Sequence, residues 1–220
     1  GLFEVQDASS QLVAAALQVE PGMRVIDACA GAGGKSLHLA ALMGNKGKVI
    51  SMDVEEWKLQ QAKLRARRNG VSIFEPKVIE GSKTIKRLKE SADRLLLDVP
   101  CSGLGVLRRN PDTKWKLSPE SIQKVQETQQ EILQSYPSML KKGGQLVYAT
   151  CSVLPEENEA IAQAFTASHP GWKPVPVAEL LDSLKVPQAS SLCTADGLYL
   201  RLWPHRHGSD GFFASVWQAP

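Results

Sequence analysis

Val25-Ile26-Asp27-Ala28-Cys29-Ala30-Gly31-Ala32-Gly33-Gly34-Lys35-Ser36 reads as a strand that runs into a glycine-rich turn and leaves it as a helix. Small residues let the backbone pass close to a ligand, and the start of a helix offers free N–H groups. The same alternation extends in both directions. Upstream, Asp7 to Val19 carries Leu12, Val13, Ala16 and Leu17 at helical spacing behind Asp7 and Ser9, which can cap it, and Pro21-Gly22 ends it. Downstream come a helix (Lys35 to Met43), a strand (Lys48 to Met52) closed by Asp53, and a helix (Glu55 to Asn69) stopped by Gly70. Ile73 to Ile79 is a third strand interrupted by Pro76, Ser82 to Glu90 a short helix, and Arg94 to Asp98 a fourth strand. A Gly-, Pro- and Arg-rich loop from Cys101 to Lys116 leads to a helix opened by Pro119 and running towards Leu140. Gln145 to Ala149 is a fifth strand. A helix is expected from Pro155-Glu156-Glu157, whose acids suit the positive end of a helix dipole. Beyond His169-Pro170 the chain reads as irregular until two late strands, Leu198 to Trp203 and Phe212 to Trp217. This repetition predicts an α/β fold: a Rossmann-like, mostly parallel seven-stranded sheet with helices on both faces and an antiparallel late pair at its edge.

The composition is that of one globular domain spanning residues 1–220, with 43% hydrophobic and 22% charged residues and a net charge of +3. That charge permits a nucleic-acid partner without demanding one. The four cysteines (Cys29, Cys101, Cys151, Cys193) show no CxxC spacing and no zinc-like arrangement with the four histidines, so a reduced compartment and no metal are expected. No apolar run approaches the ~18 residues of a membrane span, and no signal-peptide pattern stands at the start. The expected location is the cytoplasm and the expected state a monomer. Since the first residue is Gly1, an amino-terminal module is expected to be missing from this piece.

The glycine turn has an acidic partner. Asp53 ends the next strand, where a carboxylate can accept hydrogen bonds from both hydroxyls of a ribose. A phosphate-binding loop would need a glycine at position 29, which is Cys29. The dinucleotide spacing fails because Ser36 stands three residues beyond Gly33. A nucleoside without a polyphosphate remains, and S-adenosylmethionine fits.

Two further strand ends carry thiols: Asp98-Val99-Pro100-Cys101-Ser102-Gly103 and Ala149-Thr150-Cys151-Ser152. Cys193 reads as a small buried hydrophobe and Cys29 as lying beneath the turn. Cys101 and Cys151 invite a chemical reading. Carbon 5 of cytosine is too poor a nucleophile to take a methyl group directly, but a thiolate adding at carbon 6 makes it enamine-like. An acid such as Asp98 can support ring N3, and a second thiol can assist when the carbon 5 proton and the first thiol leave.

On these segments the chain resembles RNA (cytosine-5) methyltransferases of the Sun/Nop type, closest in pattern to bacterial enzymes that methylate small-subunit ribosomal RNA. The resemblance runs through Phe3-Glu4-Val5-Gln6-Asp7 with Ser10-Gln11, Asp27 to Lys35, Asp98 to Gly103, Arg108-Arg109-Asn110-Pro111-Asp112 with Trp115, Thr150-Cys151-Ser152 and Asp210-Gly211-Phe212-Phe213. It implies a class I methyltransferase fold and S-adenosylmethionine as cofactor. It implies Cys151 as nucleophile, Cys101 as the group assisting proton removal or release, and Asp98 as the residue orienting the base. It further implies cofactor contacts from Cys29, Ala30, Gly31, Ala32, Gly33, Gly34 and Lys35, and from Asp53, Glu80 and Asp98. Two departures stand out: Ala32 replaces the family's usual Pro, and Glu80 its usual Asp.

The implied partner is RNA, in particular ribosomal RNA, with an unstacked target cytosine. Arg108 and Arg109 are candidates to grip phosphates beside that base. Trp115 is a candidate for stacking on a nucleotide or for anchoring its loop. The basic residues of the Glu55–Asn69 helix read as a solvated face, and His205 and His207 as ordinary surface or loop histidines. A transfer RNA substrate, a DNA cytosine methyltransferase in which Cys101 attacks, an amino methyltransferase and an inactive cofactor- or RNA-binding module are the alternatives. Asp98-Val99-Pro100-Cys101 in place of Pro-Pro-aromatic disfavours the amino chemistry.

Overall fold

The computed structural model describes residues 1–220. Its elements, in chain order, are α1 (Ala8–Ala16), β1 (Arg24–Asp27), α2 (Gly34–Leu42), β2 (Lys48–Asp53), α3 (Glu56–Arg68), β3 (Phe74–Val78), α4 (Ser82–Lys86), β4 (Ala92–Asp98), α5 (Thr113–Lys116), α6 (Pro119–Ser135), β5 (Leu140–Thr150), α7 (Glu159–Ser168), β6 (Lys173–Pro174), α8 (Val177–Ser183), β7 (Leu200–Leu202), α9 (Pro204–His207) and β8 (Phe212–Gln218). The strands form one sheet in the order β3-β2-β1-β4-β5-β8-β6, and β7 also pairs with β8. The strands β1 to β5 are parallel to their neighbours, and β8 is antiparallel to β5. The expected seven strands are thus seven positions filled by eight. Two short strands, β6 and β7, share the outer edge of β8, against Trp217–Gln218 and Phe212–Ala214 respectively.

Leu95-Leu96-Leu97 shows why the sheet is buried on both sides. Leu95 and Leu97 join the core that includes Ile26, Tyr148, Phe165 and Trp217, while Leu96 joins the core that includes Val25, Leu39, Val147 and Leu181. Side chains alternate along a strand, so a continuous apolar run requires cover on both faces. Helices α4, α6 and α7 supply one layer, and α1, α2 and α8 contribute to the other. Pro76 is tolerated because β3 is an edge strand.

Three expectations need correction. The helix opened by Pro119, with Ser118 and Ser121 forming a reciprocal cap, ends at Ser135 rather than approaching Leu140, and one short 3-10 turn follows. The stretch expected to be irregular contains α8, whose Val177, Leu180 and Leu181 are buried. The helix expected from Pro155 begins only at Glu159. Residues 154–158 form turns instead, because the Glu157 carboxylate is drawn inwards to donors on other loops.

Candidate active site

All five parallel strands point the same way, so the loops after them gather at one edge, the usual site in an open α/β sheet. At the first loop Gly33 has φ 83°, in the left-handed region. A side chain there would also collide with the Ala62 Cβ at 2.8 Å, so both conformation and packing demand glycine. Asp53 braces the turn. Its Oδ2 accepts from the Gly31 N–H at 2.9 Å and its Oδ1 from the Glu55 N–H at 2.9 Å.

Ala28, Cys29, Gly31 and Asp53 line a cavity of about 440 Å³, together with Val54, Ile79 and the Asp98–Pro100 segment. That volume falls within the roughly 300–1,000 Å³ typical of small-molecule sites. The opposite wall comes from α6, through Thr128 and Ile132, and from Tyr136, which caps its C-terminal end. These residues recur every four positions on one helical face, a periodicity visible in the sequence although its partner was not. Burial pushes the Tyr136 phenol up to about 12, and burial likewise raises the Cys29 thiol well above its usual value.

The other expected cofactor residues are dispersed. Ala30 donates its N–H to the Met52 carbonyl, and the Ala32 carbonyl accepts from Arg65 at 2.7 Å. Gly34 lines a different cavity, and Lys35 enters the thiol cavity. Glu80 is exposed and does not line the 440 Å³ cavity.

Asp27 holds the turn from beneath. Its Oδ2 accepts from the Ser36 hydroxyl at 2.7 Å, and Ser51 donates in turn to Ser36 at 2.7 Å, so β1, α2 and β2 are joined. Its Oδ1 is buried without a partner. Burial raises the Asp27 carboxyl from an ordinary 3.8 to about 7, with the nearby Asp98 charge also contributing and the Ser36 bond opposing. The folded chain therefore binds this proton more tightly than the unfolded chain. The resulting stability is present below about pH 4 and is lost as pH rises towards 7. Asp27→Asn cannot ionise. Between pH 5 and pH 7 its unfolding free energy, measured by urea titration, is expected to rise by about 2 kcal/mol relative to the native chain. An unchanged difference between the two pH values would refute this.

The two thiol segments meet because β4 and β5 are parallel neighbours, with Asp98 opposite Ala149. Loops leaving such strand ends emerge side by side. The Cys101 and Cys151 sulfurs lie 3.2 Å apart, within hydrogen-bonding distance. Backbone bonds lock the loops: the Gly105 N–H donates to the Cys151 carbonyl and the Gly211 N–H to the Gly105 carbonyl, each at 2.8 Å. A Cβ on Gly105 would stand 2.1 Å from the Gly211 carbonyl oxygen, so no larger residue fits. Donation by Cys101 favours a thiolate on Cys151. The Cys151 thiol is lowered, first by this bond and further by the Lys35 charge, against burial and the Asp98 charge. Cys101 is raised well above its usual value, first by the same bond and then by burial.

Both sulfurs line a second cavity of about 470 Å³ with Lys35, Asp98, Arg109 and Phe212. Lys35 Nζ sits 2.6 Å from Asp98 Oδ2 and 5.0 Å from the centre of the Phe212 ring. Burial alone would depress this ammonium, but the Asp98 carboxylate more than offsets it and holds Lys35 raised. Asp98, Val99 and Pro100 line both cavities and form the wall between them.

The basic residues are less free than their sequence suggests. Arg108 and Arg109 clamp Asp210, at 2.9 and 2.6 Å, and both reach Asp7. Burial disfavours the Asp7 charge, but hydrogen bonds from Ser9 and Arg109 hold its carboxyl at about 2. On α3, Arg65 and Arg68 both pair with Glu4 rather than forming only a solvated face. Trp115 is 81% exposed with Lys114 over its ring, and it anchors nothing. His207, the last residue of α9, accepts from the N–H of Trp203, the residue before the helix, at 2.8 Å. Cys193 forms an isolated bridge with Leu200. No three His, Cys, Asp or Glu side chains are grouped to hold a metal ion, and no helix is long and apolar enough to cross a membrane.

Glu157 carries no sequence signal of its place here, since the acids around it suggest only a helix start, yet it is buried and bonded to Ser102 and Ser152, the residues that follow the two thiols.

A family model described as 16S rRNA methyltransferase RsmB/F matches residues 14–218. A probable ribosomal RNA small subunit methyltransferase B of Synechocystis sp. is 40% identical over 216 residues, 97% of this chain and 47% of that protein. Its counterpart in Bacillus subtilis is 40% identical over 214 residues, with the same coverage. The chain spans about half the length of these curated relatives. Among solved structures, NSun6 from Pyrococcus horikoshii with SFG superposes with TM-score 0.79 at 27% identity, covering 97% of this chain and 52% of that one. A methyltransferase homolog protein from the same organism gives TM-score 0.77 at 30% identity, covering 99% and 68%. Matched by that family model from residue 14 to residue 218, this chain belongs to the RsmB/F family of 16S rRNA methyltransferases.

Proposed function

We propose that this chain transfers a methyl group from S-adenosylmethionine to carbon 5 of a cytosine in ribosomal RNA of the small subunit, through a transient bond to Cys151. One observation carries the reading. A single wall, Asp98 to Pro100, separates a cavity built around Asp53 from a cavity built around two thiols. The names of the relatives direct the assignment to ribosomal RNA of the small subunit. NSun6 with SFG is a structural neighbour whose fold this chain shares over nearly its full length.

The residues fit the cofactor. Asp53 is fixed by two backbone amides and retains acceptor capacity for ribose hydroxyls. Val54, Ile79 and Ile132 offer apolar contact for a purine, and the Cys29–Gly31 backbone can be approached closely. When bound, S-adenosylmethionine supplies an electrophilic methyl group.

The target base must leave its stack to enter the thiol cavity. There the Cys151 thiolate adds to carbon 6, and the displaced electron pair moves through the ring to N3. The Asp98 carboxylate accepts from the exocyclic amine, while the paired Lys35 ammonium faces the developing charge and can protonate N3. After methylation, the carbon 5 proton leaves. Its electron pair restores the ring double bond, and the bond to Cys151 breaks with the electrons returning to sulfur. Cys101, 3.2 Å away, gives its proton to the departing sulfur and takes up the carbon 5 proton, and the N3 proton returns to Lys35.

Incubation with methyl-labelled S-adenosylmethionine and an unmodified small-subunit rRNA transcript is expected to place label in 5-methylcytidine after nuclease digestion. Label in any other nucleoside, or label equal to a no-enzyme control, would overturn the reading.

A further inference from the structure

Glu157 is a fully buried carboxylate that the chemistry above does not use. Its Oε2 accepts from the Ser102 N–H at 2.8 Å and from Gln129 Nε2 at 3.0 Å, and its Oε1 accepts from the Ser152 hydroxyl at 2.6 Å. The Ser102 and Ser152 hydroxyls are themselves 2.9 Å apart. One carboxylate is therefore bonded to the residue immediately following each thiol. Gln129 extends the hold to the Pro100 carbonyl, just before Cys101, at 3.0 Å. From the same turn, Asn158 accepts from the Thr150 hydroxyl at 2.5 Å and donates to the Ser152 carbonyl at 3.0 Å. The Glu157 carbonyl accepts from the Tyr148 hydroxyl at 2.7 Å, which anchors the turn to the sheet.

A buried carboxylate is an expensive way to fill space, and an apolar residue of similar size often serves stability as well or better. What a carboxylate adds is direction: two oxygens that can bind two separate loops at set angles. Resting on the assignment of Cys151 as nucleophile, we propose that Glu157 is a positioning residue that sets the spacing of the Cys101 and Cys151 sulfurs by tying the two thiol loops together. Its charge also distinguishes the two sulfurs. It adds to the Cys151 bond and burial in raising Cys101, while Lys35 acts on Cys151 in the opposite sense.

Glu157→Gln keeps the shape and removes the charge and one acceptor. Two measurements test the proposal. Without RNA, a diazene oxidant such as diamide takes two hydrogens and two electrons from the thiols to give a Cys101–Cys151 disulfide and the hydrazine. The rate of disulfide formation, followed by alkylation and mass spectrometry, is expected to fall about tenfold in Glu157→Gln. With RNA, kcat is expected to fall about a hundredfold while the Kd for S-adenosylmethionine stays unchanged. Native disulfide rate and native kcat in Glu157→Gln would overturn the proposal, as would parallel losses in kcat and cofactor affinity. Should near-UV circular dichroism show that Glu157→Gln does not fold, Ser152→Ala, which removes the Oε1 donor together with the Ser152 hydroxyl's contacts to Ser102 and the Leu154 N–H, carries the same expectations in smaller measure and the same refutation. The disulfide assay needs no substrate. Failure of the native chain to methylate RNA would thus count against the function, and an unaltered disulfide rate in the variants against the positioning role.

Discussion

Cys151→Ala is expected to abolish methyl transfer, with turnover reduced by about 10⁴-fold or more, the scale seen when a nucleophile is removed from a site that acts as a unit. The cause is electronic. Without a sulfur at carbon 6, carbon 5 of cytosine keeps the reactivity of an aromatic ring, and no rearrangement of the cofactor cavity can raise it. Cys151→Ser should be nearly as impaired, since a hydroxyl in that setting is far less ionised than a thiol whose neighbour already donates to it. Affinity for S-adenosylmethionine should be retained, because Cys151 does not line the cavity containing Asp53. Label incorporation from the methyl-labelled cofactor measures the loss. Retention of a tenth or more of native turnover in Cys151→Ala would remove Cys151 from the mechanism.

Cys101→Ala should fail differently. Attack and methylation proceed, but elimination stalls, and the protein remains bonded to its RNA. The expected result is a band of low mobility on a denaturing gel, stable to detergent and absent from the Cys101→Ala, Cys151→Ala double variant. Steady-state turnover should fall by about 10²- to 10⁴-fold, the usual contribution of a general acid or base. Geometry motivates this. The Cys101 sulfur lies 3.2 Å from the Cys151 sulfur in the same cavity, placed to serve the sulfur that must leave. A trapped adduct in Cys151→Ala, and none in Cys101→Ala, would reverse the two roles and favour the arrangement in which the Pro-Cys thiol attacks.

Much of the candidate site was legible because its parts are local. The turn at Gly31–Gly33, the acid at Asp53 and the two thiol segments each announce a strand end within a few residues, and parallel strands send such ends to one edge. The positions that went unread have partners far along the chain. Arg108 and Arg109 looked available for phosphates, yet Asp7 and Asp210 occupy them from about a hundred residues away on either side. Tyr136 and Ile132 displayed a helical face with nothing in the sequence to say that it closes a cofactor-sized cavity.

Glu157 marks the division most clearly. Hydrophobic periodicity and glycine placement, which depend on neighbours within one or two turns, determined that this chain builds a mostly parallel sheet and puts two cysteines at strand ends on one edge of it. Only the tertiary structure decided that those sulfurs approach to 3.2 Å, and that an acid resembling a helix start turns inwards to bind both loops. The physical reason is desolvation. A carboxylate near a helix N-terminus and one buried behind a site look identical in sequence. They differ only in the donors that folding brings around them.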